Sequence, residues 1–431
     1  MTIAKEELNK KLAIAIYIIS ILPFLYLLVS DTTIDSFWYR FANISGYIGA
    51  LVIIWQFIFG NRVISKYITS DYDWSLRAHI FLGVNGALFV LLHPILLTIV
   101  YLRDIRFIFL PDYSSDFSTA VSIGRVAFIL FLLIWLSSSI FRNSLKYKVW
   151  LYIHYLSYPM LLMVLFHPIS IGSLLLTYPW VNAYWFFLTI VSGLFFIIKI
   201  KNIFNIGSIK FKLKEVTEYP GGNCIYTFTP INSKFIPKIG QYFYIKKDFF
   251  GEAYPFTIFK FDEVSGDISF GIKMLGKYTQ DLSKLQIGNT VYIDGPYGEF
   301  TFEGQNSDPK VILAGGIGIT PFYELVKKFG NDKTYLFYSN QLLDYALSRE
   351  EFKKLLGERY FDCISDEKVD ESNVICDLLT ADGIKKHLPS EIISSARFFI
   401  CGSPGFMRSE ITNLESIGVK KSQIYIEEFG Y

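Results

Sequence analysis

Residues 76–101 read LRAHIFLGVNGALFVLLHPILLTIVY, and residues 150–171 read WLYIHYLSYPMLLMVLFHPISI. Both stretches are long and apolar enough to cross a bilayer, which takes about 20 residues of helix. Between them they hold one charged residue, Arg77, and four of the chain's five histidines. His79 and His93 stand fourteen residues apart; His154 and His167 stand thirteen apart. An ionisable side chain at membrane depth is costly, so its presence there points to function. One such histidine reads as a packed polar residue. Two pairs at nearly equal steps read as ligands.

Four further apolar segments complete a set of six: Leu12–Val29, Phe41–Phe59, Val121–Phe141 and Trp180–Ile200 join Leu76–Tyr101 and Trp150–Ile171. Of the 80 Asp, Glu, Lys and Arg residues, residues 1–200 hold 23 and residues 201–431 hold 57. The mean hydropathy of +0.35 therefore averages two different materials. This excludes a wholly soluble enzyme, a disordered chain and a nucleic-acid binder with a basic face. Net charge is +2, so global charge names no partner. The four cysteines, Cys224, Cys363, Cys376 and Cys401, all lie in the polar half without metal-ligand spacing, as expected of a reduced cytosolic domain. The first apolar run lacks a small-residue cleavage site and reads as a retained helix.

Flanking cations set the orientation. One set of ends carries Lys5, Lys10, Lys11, Arg62, Lys66, Arg77, Arg142, Lys146, Lys148, Lys199 and Lys201. The opposite loops carry Arg40, Arg103 and Arg106, offset by Asp31, Asp35, Asp104, Asp112 and Asp116. The positive-inside rule then places both termini and the polar half in the cytoplasm of a cell-membrane protein. The third and fifth spans share a direction, so His79 should pair with His154 near the cytoplasm and His93 with His167 near the outside. Each pair is separated along its helix by about 20 Å, room for two planar groups. A neutral imidazole is a good haem-iron ligand, and a porphyrin fits a dry slot between helices. The residues therefore predict two bis-histidine b-type haems. A thirteen-residue step misses the starting face of an ideal helix by roughly 140°; Pro159, lacking an N–H, should distort the fifth span between its histidines. Arg77 beside the inner pair and Arg125 at outer depth are candidate partners for haem propionates or an acceptor, against a snorkelling role.

From Ile209 to about Phe302 short alternating strands suit a small antiparallel barrel. From Lys310 strands alternate with helices: Val311–Leu313, Thr334–Tyr338 and Arg397–Cys401, the pattern of a parallel sheet binding ligands at its strand C-termini. After the first comes Ala314-Gly315-Gly316-Ile317-Gly318-Ile319-Thr320-Pro321, where residues without Cβ let backbone N–H groups approach a pyrophosphate. Taken alone this is also a tight strand-to-helix turn. Tyr254-Pro255-Phe256-Thr257 offers an aromatic face and a hydroxyl to a flavin ring. Gly271-Ile272-Lys273, Gly276 and Thr279 offer donors and a cation to a diphosphate. Cys401-Gly402-Ser403-Pro404 ends a strand as a nicotinamide-proximal loop would. Phe429, near the terminus, either packs or covers a flavin face.

Together these residues resemble the ferric reductase and NADPH oxidase superfamily from about residue 40 onward: a six-helix, two-haem membrane domain fused to a ferredoxin-NADP reductase-type flavoprotein module. The paired histidine spacings and Gly315–Pro321 are the more specific parts. The family's His-Pro-Phe-Thr/Ser flavin strand has Tyr254 in its first position here. Its Gly-Pro-Tyr-Gly turn is Gly295–Gly298, and its Cys-Gly-x-Pro loop is Cys401–Pro404. Its C-terminal aromatic matches Phe429, with Gly430 and Tyr431 beyond. No calcium-binding extension precedes the first span, so calcium gating is not implied. The resemblance implies an α-helical membrane bundle over 1–205, a cytosolic FAD-binding β-barrel over 206–305 and an α/β NAD(P)-binding domain over 306–431. It implies hydride transfer from NAD(P)H to FAD, with Thr257 beside the flavin and Phe429 displaced by nicotinamide, then single-electron transfer through the inner and outer haems. Ser339, after the second nucleotide-domain strand, opens the segment that reads NADH or NADPH. Gln341 stands where many NADPH users keep an arginine and Arg349 lies farther along, so that choice stays open. Dioxygen giving superoxide is the expected acceptor, because the outer loops contain no histidine or cysteine. A ferric chelate, a partner protein or quinone, and a channel with a regulatory nucleotide domain are the alternatives. No obligatory protein partner and no nucleic acid are expected; lipid is.

Overall fold

The computed structural model describes residues 3–31, 36–65, 68–69, 72–231, 236–249 and 252–427. Phe429, Gly430, Tyr431, Lys66 and Asp35 lie outside them. The chain divides into two compact units, Met1–Lys201 and Asn202–Tyr431.

In the first unit, six helical spans are long and apolar enough to cross a membrane: Glu7–Ser30, Phe37–Gly60, Trp74–Val100, Asp116–Ser139, Tyr147–Phe166 and Pro179–Ile203. Helices are the form in which a chain can satisfy its own backbone in lipid. Ser36 and Ser115 start the second and fourth, each side chain accepting from a backbone N–H three residues on. The second span is the central one. Ile44, Ile48, Leu51, Val52, Ile53 and Ile54 are almost fully buried there, while the other spans expose isoleucines, leucines and phenylalanines on their outer faces.

Two spans are broken between their histidines. The third splits into Tyr72–Asn85 and Ala87–Val100 at Gly86, and the fifth into Tyr147–Tyr155 and Ser157–Phe166 at Leu156. Pro159 thus sits in the first turn of a new helix, where its missing N–H costs nothing.

In the second unit, β1 (Ile209–Tyr219), β2 (Asn223–Pro230), β3 (Tyr242–Lys246), β4 (Ala253–Phe261), β5 (Ile268–Lys273) and β6 (Thr290–Tyr297) close an antiparallel barrel in the order β1-β2-β5-β4-β3-β6. Alternate residues such as Phe211, Phe228, Phe243, Phe259, Phe270, Val291 and Ile293 fill it. A parallel sheet follows, ordered β10-β9-β8-β7-β11-β12, with β7 Lys310–Gly315, β8 Thr334–Asn340, β9 Tyr360–Ile364, β10 Val374–Ile375, β11 Arg397–Cys401 and β12 Ile424–Glu427. Its faces alternate strictly: Ile312, Ala314, Leu336 and Phe399 join the barrel-side core, whereas Val311, Leu313, Phe337 and Phe398 pack under the helices opposite.

Candidate functional site

The membrane unit brings the four histidines together in the two pairs expected from the shared direction of their spans. The rings of His79 and His154 face each other with centroids 6.0 Å apart and planes at 70°. Those of His93 and His167 are 6.4 Å apart at 76°. Two imidazole–metal bonds of about 2 Å each, plus half a ring on either side, require a separation of about 6 Å. The break at Leu156 therefore accompanies the facing that an unbroken thirteen-residue step would miss.

Each ring is aimed from behind. His79 Nδ1 lies 2.9 Å from the Gln56 carbonyl, His93 Nδ1 2.8 Å from that of Ala42, and His167 Nδ1 2.8 Å from that of Ala120. With Nδ1–H donating to a carbonyl, Nε2 is left with its lone pair toward the partner imidazole. Four residues after each accepting carbonyl, one turn along the same face, stands a glycine: Gly60, Gly46 and Gly124. A Cβ there would come within 2.8 Å of His79, 2.6 Å of His93 and 2.6 Å of His167. These glycines escaped the sequence reading, yet Gly46 and Gly60 repeat the fourteen-residue step of His79 and His93, and that match was available. His154 is held differently, by the Ser138 hydroxyl at 3.4 Å.

Among the described residues no group of three or more His, Cys, Asp or Glu side chains could hold a metal by itself. Two protein ligands per site suit a metal whose remaining ligands come with a macrocycle. A second observation fits such a group. Arg40 Nε, Asn43 Nδ2, Arg125 Nε and Ser173 Oγ are buried without a hydrogen-bond partner, and all four can donate. Arg40 and Asn43 share the turn of the second span that holds Ala42, and Arg125 follows Gly124, so three of these donors lie at the His93–His167 end. Arg125 also lies over the Phe107 ring at 4.4 Å. Propionate carboxylates would satisfy them. Arg77 is exposed and stands two residues from His79, about 200° around the helix, so it faces away from that ring.

In the second unit, Tyr254, Phe256 and Tyr278 form an aromatic face. Tyr254 stacks on Tyr278 at 4.0 Å, Phe256 lies 6.2 Å from the same ring, and Tyr278 donates to the Ile245 carbonyl. Pro255 is exposed between them, and Thr257 is buried opposite Tyr242. Gly271 and Ile272 are central residues of β5, with Lys273 at its end; a Cβ on Gly271 would meet the Thr320 methyl at 2.6 Å. Gly276 and Thr279 bond each other at the start of the short helix Lys277–Leu282, so the Thr279 hydroxyl caps that turn.

The loops after β7 and β11, neighbouring strands of the sheet, touch through backbone. A Cβ on Gly402 would lie 3.2 Å from Gly315 Cα, one on Gly318 would strike the Cys401 carbonyl, and Gly316 takes a φ of +54°. Only glycine allows this approach. The result is bare backbone at the strand C-termini, the edge at which α/β sheets bind nucleotides. Thr320 and Pro321 are buried behind it, Pro404 begins the helix Pro404–Ser416, and Ser339 pairs with Gly315 and Cys363 on either side. Cys401 is fully buried; burial first, then the nearby Glu427 carboxylate, pushes its thiol well above the ordinary cysteine range, so it stays protonated.

Arg349 is committed elsewhere. Its guanidinium donates to Asp362 at 2.7 Å, Glu371 at 2.6 Å and Glu350 at 3.2 Å. Burial would lower its pKa, but bonds to Glu371 and Asp362 outweigh that and raise it. Glu367, in the segment after β9, accepts at 3.1 Å from the backbone N–H of Leu343 on the loop after β8.

Three family matches follow the chain in order: ferric reductase like transmembrane component over residues 45–165, oxidoreductase FAD-binding domain over 210–302 and oxidoreductase NAD-binding domain over 312–410. The chain is 29% identical over 161 residues to NADH-cytochrome b5 reductase 2 of Mycosarcoma maydis, spanning 35% of this chain and only 46% of that protein. It is 27% identical over 237 residues to NADH-cytochrome b5 reductase 1 of Neosartorya fischeri, covering 50% and 76%. Among solved structures, a flavohemoglobin from Malassezia yamatoensis with bound FAD and heme aligns with a TM-score of 0.47 at 21% identity, over 74% of this chain and 89% of that one. A ferric-reductase-like transmembrane component joined to FAD- and NAD-binding oxidoreductase domains is the architecture of the ferric reductase and NADPH oxidase superfamily, and this chain has that architecture.

Proposed function

We propose that this chain passes electrons from cytosolic NAD(P)H to dioxygen on the far side of a cell membrane, releasing superoxide there. The reaction balances as one NAD(P)H and two O2 giving one NAD(P)+, one proton and two superoxide ions. Bound FAD would supply the conversion of hydride to single electrons, and two haems b would supply the relay across the span. The residues supply the rest. His79 with His154, and His93 with His167, offer Nε2 lone pairs to two irons. Arg40, Asn43 and Arg125 offer donors to carboxylates at one of these sites. Tyr254, Pro255, Phe256 and Thr257 offer a face and a hydroxyl to the flavin, Lys273 a cation to its diphosphate, and Gly315, Gly316 and Gly318 backbone N–H groups to the nucleotide pyrophosphate. The facing imidazoles, at the separation that two nitrogen ligands of one metal ion would need, carry this reading. Both termini face the cytoplasm in it, on the evidence of the flanking cations.

NADH is the favoured donor, because Arg349 is held among three carboxylates and the Glu367 carboxylate, reaching over from the segment after β9, bonds the loop after β8, where a 2′-phosphate would need a cation. The test is purified protein given NADH or NADPH, with superoxide dismutase-sensitive reduction of a soluble reporter measured beside reduction of a ferric chelate. Two haems per chain, a higher kcat/KM with NADH and dismutase-sensitive turnover support the reading. Chelate reduction that dismutase leaves untouched would make the acceptor ferric iron.

A further inference from the structure

Three of the four facing histidines are held alike, and the fourth is not. His79, His93 and His167 each have a backbone carbonyl at 2.8–2.9 Å from Nδ1 and a glycine one turn on. His154 has a side chain instead: the Ser138 hydroxyl at 3.4 Å, an oxygen that already accepts from Trp150 Nε1 at 3.1 Å. At 3.4 Å a hydrogen bond is weak, and a hydroxyl shared between two donors is a poorer acceptor than a carbonyl. The orientation that a backbone bond gives the other rings comes here from stacking. The Trp150 indole lies against His154 with centroids 5.2 Å apart and planes at 28°, and the Arg142 guanidinium caps the indole at 4.3 Å.

The acceptor behind a ligating imidazole controls its basicity. A strong acceptor at Nδ1 makes Nε2 a better donor to the metal and favours the oxidised iron; a weak one does the reverse. We infer that Ser138 sets the reduction potential of the haem held by His79 and His154, keeping it higher than a carbonyl-backed His154 would, with Trp150 and Arg142 fixing the ring. Ser138 is a positioning residue: it acts through His154 and touches no substrate. The inference rests on the haem reading above and adds to it an asymmetry between the two sites.

The test is a Soret-band redox titration of the purified full-length protein, wild type beside Ser138→Ala, Ser138→Asp and Ser138→Thr. Removing the hydroxyl should move one of the two reduction steps upward, and a carboxylate should move the same step downward. Threonine, which keeps the hydroxyl, should leave both in place. The other step should stay fixed throughout, as its histidines are backed by Ala42 and Ala120. If both steps coincide with wild type in the alanine and aspartate variants, or if both move together, the inference is overturned. A wild-type protein that binds no haem would instead overturn the reading beneath it, so the two failures are distinguishable. The ferric low-spin EPR signals supply a second readout if the aspartate variant does not fold: alanine should change one signal and spare the other.

Discussion

The two units encode their sites in opposite ways. In Met1–Lys201, ionisable side chains are scarce, so residue identity carries the information: four histidines among apolar spans mark the site directly. In Asn202–Tyr431 charges are abundant and many pair with one another, as Lys214 with Asp267 and Lys328 with Glu263 do. There the site is drawn in backbone, by glycines that let the β7 and β11 loops touch and by the C-terminal edge of a parallel sheet. The cause is the solvent. Lipid makes every polar group expensive enough to need a reason, whereas water lets surface charges vary at little cost.

The sharpest way to break this comparison is to remove one histidine. His93→Ala should abolish delivery of electrons to the acceptor, by about 100-fold or more, since loss of even an outer-shell partner of a metal ligand costs 10–100-fold. Reduction of a soluble dye that takes electrons directly from the flavin should persist, because the barrel and sheet have their own core. Equal loss of both activities would show that the units do not divide the work as their sequences do.

Much of this was legible in the residues alone. The six spans, the barrel, and strands β7, β8 and β11 follow from apolar length and from period-two patterning, which local sequence sets. The histidine pairing followed from helix direction. What escaped depends on where the chain folds back. Pro159 announced a distortion but not its place, since the break falls three residues earlier, at Leu156. Ser138 looks like any serine near a helix end until His154 and Trp150 converge on it. Arg349 looked available to a phosphate until Asp362 and Glu371, thirteen and twenty-two residues on, closed around it.

Arg349 therefore tests whether charge in the second unit serves structure. Asp362 is fully buried, and removing its cation leaves that carboxylate uncompensated. Arg349→Ala should destabilise the nucleotide-binding fold by about 3–5 kcal/mol, the range for breaking a buried pair. It should leave the ratio of NADH to NADPH kcat/KM unchanged. A fall in NADPH use alone, with thermal unfolding unaltered, would return Arg349 to the substrate.

Glu410 sharpens the same point through pH. It is 3% exposed, and burial raises its carboxyl to about 7 against a hydrogen bond from Asn413 that works the other way. Between the unfolded value near 4.5 and the folded one, the native state holds a proton that the unfolded chain has lost. Stability must then fall as pH rises through this window and level off above it, by about 3 kcal/mol in all at some 1.4 kcal/mol per unit. Glu410→Gln should flatten that decline, raising Tm at pH 8 and leaving it unchanged at pH 4. A parallel decline in both proteins would assign it to another group.

The smallest effect returns to the membrane unit, where backbone also carries information. Gly124 is one of three glycines that admit a histidine ring, and a Cβ there would approach His167 Cε1 to 2.6 Å. Since neither ring nor helix can yield fully, Gly124→Ala should cost about 1–3 kcal/mol, the usual penalty for overpacking. The cost should fall on one site: haem content should drop from two toward one per chain, with the remaining Soret signal belonging to His79 and His154. Gly193, whose Cβ would meet nothing within 4 Å, is the control in the same bundle. If Gly193→Ala and Gly124→Ala lose haem alike, glycine serves these spans through helix flexibility; if only Gly124→Ala does, lipid-embedded sites too are written partly in what a residue lacks.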